Sequence, residues 1–169
     1  MKVKNISKTI ITAITCCVLM GYSSFSGAAD MSYGKITGGG EYIQVGSTIF
    51  SLTVNALTTK DAVVKGSIQY TRDDLVFHAP VTCYRIFVAS DGNWAAVIIG
   101  PAKIQEGSAA IENPWVAVCV KEHETGHGEV IRVPWPLTQD QAEAYCGQNY
   151  TGSYPATVVE GNFIIRPPE

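Results

Sequence analysis

The sequence predicts an all-β domain, an antiparallel β-sandwich or flattened barrel with one short C-terminal helix. Three observations lead there. Apolar and polar residues alternate with period two through most of 47–133, turn-forming clusters divide that stretch at short intervals, and only 137–147 breaks the period with helix-forming residues.

Taken in order, Phe50, Leu52, Val54 and Ala56 alternate with Ser51, Thr53 and Asn55, the pattern of a half-buried strand. The run 63–70 sets Val64, Gly66, Ile68 and Tyr70 on one face and Lys65, Ser67 and Gln69 on the other. Thr58-Thr59-Lys60-Asp61 between them is a polar turn, so the two strands form an antiparallel hairpin. Further strands are expected at 75–79, 81–89, 94–104, 115–122 and 129–133. Arg72-Asp73-Asp74, Ser90-Asp91-Gly92-Asn93, Glu106-Gly107-Ser108 and Glu112-Asn113-Pro114 punctuate them. Phe163-Ile164-Ile165, after Gly161-Asn162, is a closing strand. Gly38, Gly39 and Gly40 let the backbone bend or approach another strand where a side chain would clash, or else act as a flexible linker. In 137–147, Thr138 is the N-cap, an acidic first turn follows, and Gly147 is the stop; Pro134 and Pro136 end the preceding strand. This is read as a surface helix with Cys146 at its end.

The chain has 169 residues, 46% of them hydrophobic and 16% charged, which fits one ordered domain and excludes intrinsic disorder. Residues 1–29 carry Lys2, Lys4 and Lys8 without an acid, an apolar run over 10–20 and small residues over 23–29, the anatomy of a secretory signal peptide. That run is too short to span a bilayer, which takes about 20 residues, and no later segment comes close, so the mature chain is expected to lack a transmembrane segment. Cleavage fits after Ala28 or Ala29, with Ala29 preferred. Cys16 and Cys17 do not make a lipoprotein signal, because Ala13-Ile14-Thr15 is a poor lipobox. Removing 1–29 leaves a single domain over 30–169 with 9 Lys and Arg against 15 Asp and Glu, a charge of −6, and three cysteines. An acidic chain of this kind is not expected to bind nucleic acid.

The sharpest string is His123-Glu124-Thr125-Gly126-His127, which satisfies the H-E-x-x-H pattern. That pattern makes a zinc hydrolase when it lies on a helix: histidines four apart converge on the metal and the intervening glutamate, here Glu124, polarises its water. Here it lies between two strand patterns. Gly126 and Gly128 each weaken a helix by about 1 kcal/mol relative to Ala. No third ligand sits at the metzincin spacing, where Val133 stands; Glu143 would lie on a surface helix, and His78 is read as a strand surface residue. A loop joining two strands is the preferred reading. A metal site without catalysis, using His123 and His127 with Glu122, Glu124 and Glu129, is the milder alternative, with zinc as its cofactor.

Cys83, Cys119 and Cys146 travel to an oxidising compartment, where one disulfide and one spare thiol are expected. If Tyr84, Ile86 and Val88 face inward, Cys83 and Arg85 face outward; by the same count Val116, Val118 and Val120 point in, and Cys119 points out with Trp115. Either Cys83 or Cys119 reaches Cys146 on that reading, for roughly 3–4 kcal/mol of stability. A nucleophilic thiol is the disfavoured alternative. Trp94, Trp115, Trp135, Tyr84, Tyr145, Tyr150 and Tyr154 line either a ligand surface or the core.

The ordered features resemble a group of secreted bacterial β domains labelled post-COAP. The resemblance runs through Gly38-Gly39-Gly40, Phe50-Ser51-Leu52-Thr53-Val54-Asn55-Ala56, Val64-Lys65-Gly66-Ser67-Ile68-Gln69-Tyr70 and Val81-Thr82-Cys83. It continues in Ala95-Ala96-Val97-Ile98-Ile99-Gly100, an acidic glycine-containing loop over 122–129, and Gly161-Asn162-Phe163-Ile164. It implies an exported domain with no established activity, standing beside or appended to surface proteins. It also implies that 123–127 is a variable β-turn and that Cys83 pairs with Cys146. Cys119 is then the free thiol, a departure from the group's pattern. The function expected is that of a non-enzymatic binding or cell-envelope interaction domain without a cofactor, whose partner is a protein or envelope ligand in the periplasm or the medium. The alternatives are a zinc-dependent hydrolase and a plain metal-binding domain.

Overall fold

A computed structural model describes residues 34–44, 48–59, 61–122, 128–148 and 157–167. They form β1 (Lys35–Gln44), β2 (Thr48–Thr58), β3 (Val64–Arg72), β4 (Leu75–Pro80), β5 (Cys83–Val88), β6 (Trp94–Pro101), β7 (Lys103–Glu106), β8 (Trp115–Glu122), β9 (Gly128–Arg132), α1 (Gln139–Cys146) and β10 (Thr157–Arg166). The strands make two antiparallel sheets, one in the order β10-β1-β2-β3-β4-β7 and one in the order β5-β6-β8-β9. The fold is an all-β sandwich, as the alternation predicts.

The β2–β3 hairpin follows the expected register: Leu52 opposes Tyr70 and Val54 opposes Ile68, with their side chains buried and Ser51, Thr53 and Asn55 exposed. The three glycines are no linker. They sit in mid-strand, where β1 pairs with both β2 and β10. Gly38 opposes Phe163 at φ +154°; a methyl there would collide with the Asn162 carbonyl oxygen and lie 2.7 Å from the Phe163 Cα. The ring of Phe163 occupies the space a side chain would have filled.

Two expectations change. The run 94–104 is two strands in different sheets: the chain turns at Ala102, whose N–H donates to the Pro114 carbonyl (2.8 Å), and β7 joins β4 in the other sheet. The second change concerns Cys119. Its side chain does face away from the core between the sheets, as read, but that face is covered. Phe87, Ala95, Val97, Ile99, Ala117, Cys119 and Ile131 form a second apolar cluster closed by Ala142 and Cys146 of α1. The four-stranded sheet is thus buried on both faces, which is why β6 and β8 read as nearly continuous apolar runs.

The helix is a lid on that cluster, not a free surface element. Thr138 and Gln141 form a capping box and Gly147 is the C-cap. Cys83 and Cys146 are joined in a disulfide, and the Arg85 guanidinium donates to the Gly147 carbonyl (3.0 Å), so two side chains of β5 hold the helix C-terminus. Cys119 is a free thiol, buried.

Candidate functional site

One aromatic side chain from each of five adjacent strands stands in a single stacked row on the inner face of the six-stranded sheet. The order is Phe163 (β10), Tyr42 (β1), Phe50 (β2), Tyr70 (β3) and Phe77 (β4), with centroid separations of 5.8, 5.5, 5.5 and 4.9 Å. Trp135, from the segment after β9, completes the row 4.5 Å from Phe77. Each such pair adds about 0.5–1.5 kcal/mol beyond its burial.

A cleft of about 380 Å³ opens where this row meets the chain leaving β9. Phe50 and Tyr70 supply one wall, the consecutive residues 130–137 another, and Tyr145 of α1 a third. The volume lies at the lower end of the range for small-molecule sites. The segment 133–137 is held in place by β8: Ala117 N–H donates to the Pro134 carbonyl, and Trp115 and Leu137 exchange hydrogen bonds at 2.8 and 2.9 Å. Burial raises the pKa of Tyr70, an effect that the Arg72 guanidinium beside its hydroxyl opposes. Tyr42, deeper in the row, is fully buried with its hydroxyl unpartnered, and burial raises its pKa strongly.

Of the seven aromatics singled out in the sequence, Trp135 and Tyr145 meet at this cleft. Tyr84 does not; its hydroxyl is engaged with Thr58 Oγ1 (2.7 Å) and the Gly34 carbonyl. Trp94 is partly exposed at the β5–β6 hairpin, and Trp115 packs against the second cluster. Tyr150 and Tyr154 lie outside the described residues, as do His123, Glu124 and His127. On either side of that motif the chain is strand, with Glu122 paired to Gly128. Among the described residues no three His, Cys, Asp or Glu side chains gather as a metal site. His78 is half-buried on β4, opposite Gln69 and Lys103.

Burial pushes the Cys119 thiol up to about 12, with Arg132 pulling weakly the other way. It therefore carries its proton at neutral pH, as a packing residue does and a nucleophile does not. Nearby, Lys121 reaches Asp91 (2.8 Å) and Glu129 (3.2 Å). That ammonium and the Asn93 N–H hold the Asp91 carboxyl at about 2. These ions fasten the β5–β6 turn to β8 and β9 and lie away from the cleft lining.

Comparison with protein-family models, with curated protein sequences and with solved structures returns no match. Among the described residues no helix is long and apolar enough to cross a membrane.

Proposed function

We propose that this chain is an exported, non-enzymatic binding module of the cell envelope, and that the cleft walled by Trp135 and Tyr145 receives its ligand. The observation that carries this reading is the cleft's foundation: its aromatic wall continues a row anchored in five strands. A pocket held by packed elements loses little freedom when it is filled, so more of the contact energy appears as affinity.

The basic, apolar and small-residue segments of 1–29 support export, and so does a disulfide, a bond that persists in oxidising compartments. The mature protein then begins after Ala29 and works in the periplasm or the medium. Its resemblance to post-COAP-type domains belongs to the same proposal: such domains stand beside surface proteins, where an envelope or protein ligand is at hand.

Ligand-observed NMR of the purified protein against a fragment library tests the reading. Fragments that bind wild type and are lost on Tyr145→Ala support it. Fragments that bind both alike put the site elsewhere, and an empty screen contradicts it. Metal analysis of the same sample separates the alternatives. Equimolar zinc, with peptide hydrolysis abolished by His123→Ala, would replace this reading with a zinc hydrolase in which Glu124 activates water. Equimolar zinc without hydrolysis would make the chain a metal-binding domain.

A further inference from the structure

We infer that the outer face of the six-stranded sheet is the interface of a symmetric dimer, its occupant a second copy of this chain. The outer face of the four-stranded sheet is covered by α1, whereas that of the six-stranded sheet lies open, with Lys35, Glu41, Ser51, Thr53, Asn55 and Gln69 exposed. The cleft is walled by inward side chains of the same sheet, Phe50 and Tyr70, so self-association and ligand binding use opposite sides of it. The outward residues stand in ladder rows. At one end Arg166, Lys35, Leu57 and Lys65 are in register. Two uncharged rows follow through β1, β2 and β3, Thr37-Asn55-Ser67 and Gly39-Thr53-Gln69, and then a row that runs from Glu41 through Ser51, Thr71 and Val76 to Glu106. Beyond the basic row lies Val63, exposed and bonded through its carbonyl to the Thr59 N–H (2.9 Å); beyond the acidic row lie Ile43 and Ile49, exposed and opposed. From end to end these three strands read apolar, basic, neutral, neutral, acidic, apolar.

That order is complementary to itself reversed. A two-fold axis in the plane of the face, perpendicular to the strands and midway between the two neutral rows, lays Lys35 of each copy over Glu41 of the other and Asn55 over Thr53. Thr37 falls on the bare backbone of Gly39, and Ile49 falls on the Thr59–Val63 pair, apolar end on apolar end. The other in-plane two-fold, parallel to the strands, lays basic row on basic row and acidic on acidic, so the charges choose between them. The exceptions to the pattern lie off these rows: Asp61 is in the turn beyond Val63, Lys103 is on the edge strand β7, and Arg72 turns inward to the Tyr70 hydroxyl. Among the described residues none of Lys35, Lys65, Arg166, Glu41 and Glu106 has an ion-pair partner in its own chain, whereas on the other sheet Lys121 holds both Asp91 and Glu129. By the usual strand spacing and rise the face covers roughly 500 Å² in plan, at the lower end for specific interfaces, so the dimer is expected to be reversible.

Protein purified with its disulfide intact is followed by sedimentation equilibrium from roughly 5 to 500 µM, the range in which a reversible dimer of this size dissociates. A monomer–dimer equilibrium is expected, weakening as salt rises from about 0.05 to 0.5 M because the ion pairs sit at the rim of the face. Lys35→Glu and Glu41→Lys each set like charges against one another twice per dimer, and each should weaken association by about tenfold or more. The double variant carrying both reversals restores the pairing and should return to within about threefold of wild type. Both side chains are exposed, so the unfolding midpoint should move little; if either variant does not fold, Thr53→Arg, which places bulk and charge beside the axis, is expected to give a monomer instead. A chain that stays monomeric throughout the range would overturn the inference. A dimer that neither reversal nor Thr53→Arg weakens would place self-association on another surface and overturn it too, as would a double variant no tighter than the single ones.

Discussion

At Gly38 the chain is required to have no side chain. Its φ of +154° and the nearness of the β10 backbone mean that Gly38→Ala strains one strand and displaces another. The expected loss is roughly 2–4 kcal/mol, read as a lower denaturant midpoint at unchanged slope. Tyr42 points the other way. Its buried hydroxyl makes no hydrogen bond, so Tyr42→Phe keeps the stacked ring and removes a desolvated polar atom. That variant should be as stable as wild type or about 1 kcal/mol more so, and a loss of more than that would mean the hydroxyl has a partner. Cys119 links stability to pH. Folding raises its thiol from 9.0 to about 12, so in that range the folded chain keeps a proton that the unfolded chain releases. The contribution is complete below about pH 9 and declines as pH rises toward 12, by up to about 1.4 kcal/mol per pH unit. Between pH 9 and 10, before the buried tyrosines add in the same sense, Cys119→Ala should flatten the slope in chemical-denaturation curves.

Among the elements, α1 was the most legible in the sequence and β1 the least, for opposite physical reasons. The helix is specified locally: Thr138, Gln141 and Gly147 are its caps, and each acts within a few residues. In β1 the inward positions are Ile36, Gly38, Gly40 and Tyr42, so the apolar alternation is interrupted where the strand is central. The apolar bulk missing from β1 is supplied across the ladder by Phe163, a contact no local window contains. β6 and β7 merged in the sequence because only Ala102 lies between them, with no polar turn cluster, and it is the pairing of β7 with β4 that separates them. The disulfide acts at this scale too, tying α1 to β5 across 63 residues. Replacing both Cys83 and Cys146 with Ser should cost about 4 kcal/mol by loop closure, checked by denaturant unfolding. Helix signals in circular dichroism should then disappear before the strand signals as denaturant is added.

For the whole molecule, period-two patterning was enough to predict a sandwich or flattened barrel but not a sheet buried on both sides. The outward reading of Cys119 was right in direction and wrong in exposure, since what covers a sheet face is decided by where α1 docks. The cleft was legible only as a set of seven aromatics. Trp135 and Tyr145 come together because the 133–137 segment is hydrogen-bonded to β8 while the disulfide holds the helix beyond it. The central claim is that binding belongs to this cleft and not to the polar outer face of the six-stranded sheet, where Thr53 and Gln69 oppose one another. Chemical-shift mapping of ¹⁵N-labelled protein during titration with the tightest-binding fragment of the screen tests it most directly. The account predicts shifts concentrated at the Trp135 indole and the backbone amides of Val133, Leu137, Tyr145 and Gln148. Shifts centred on Thr53 and Gln69, with the Trp135 indole unmoved, would contradict it.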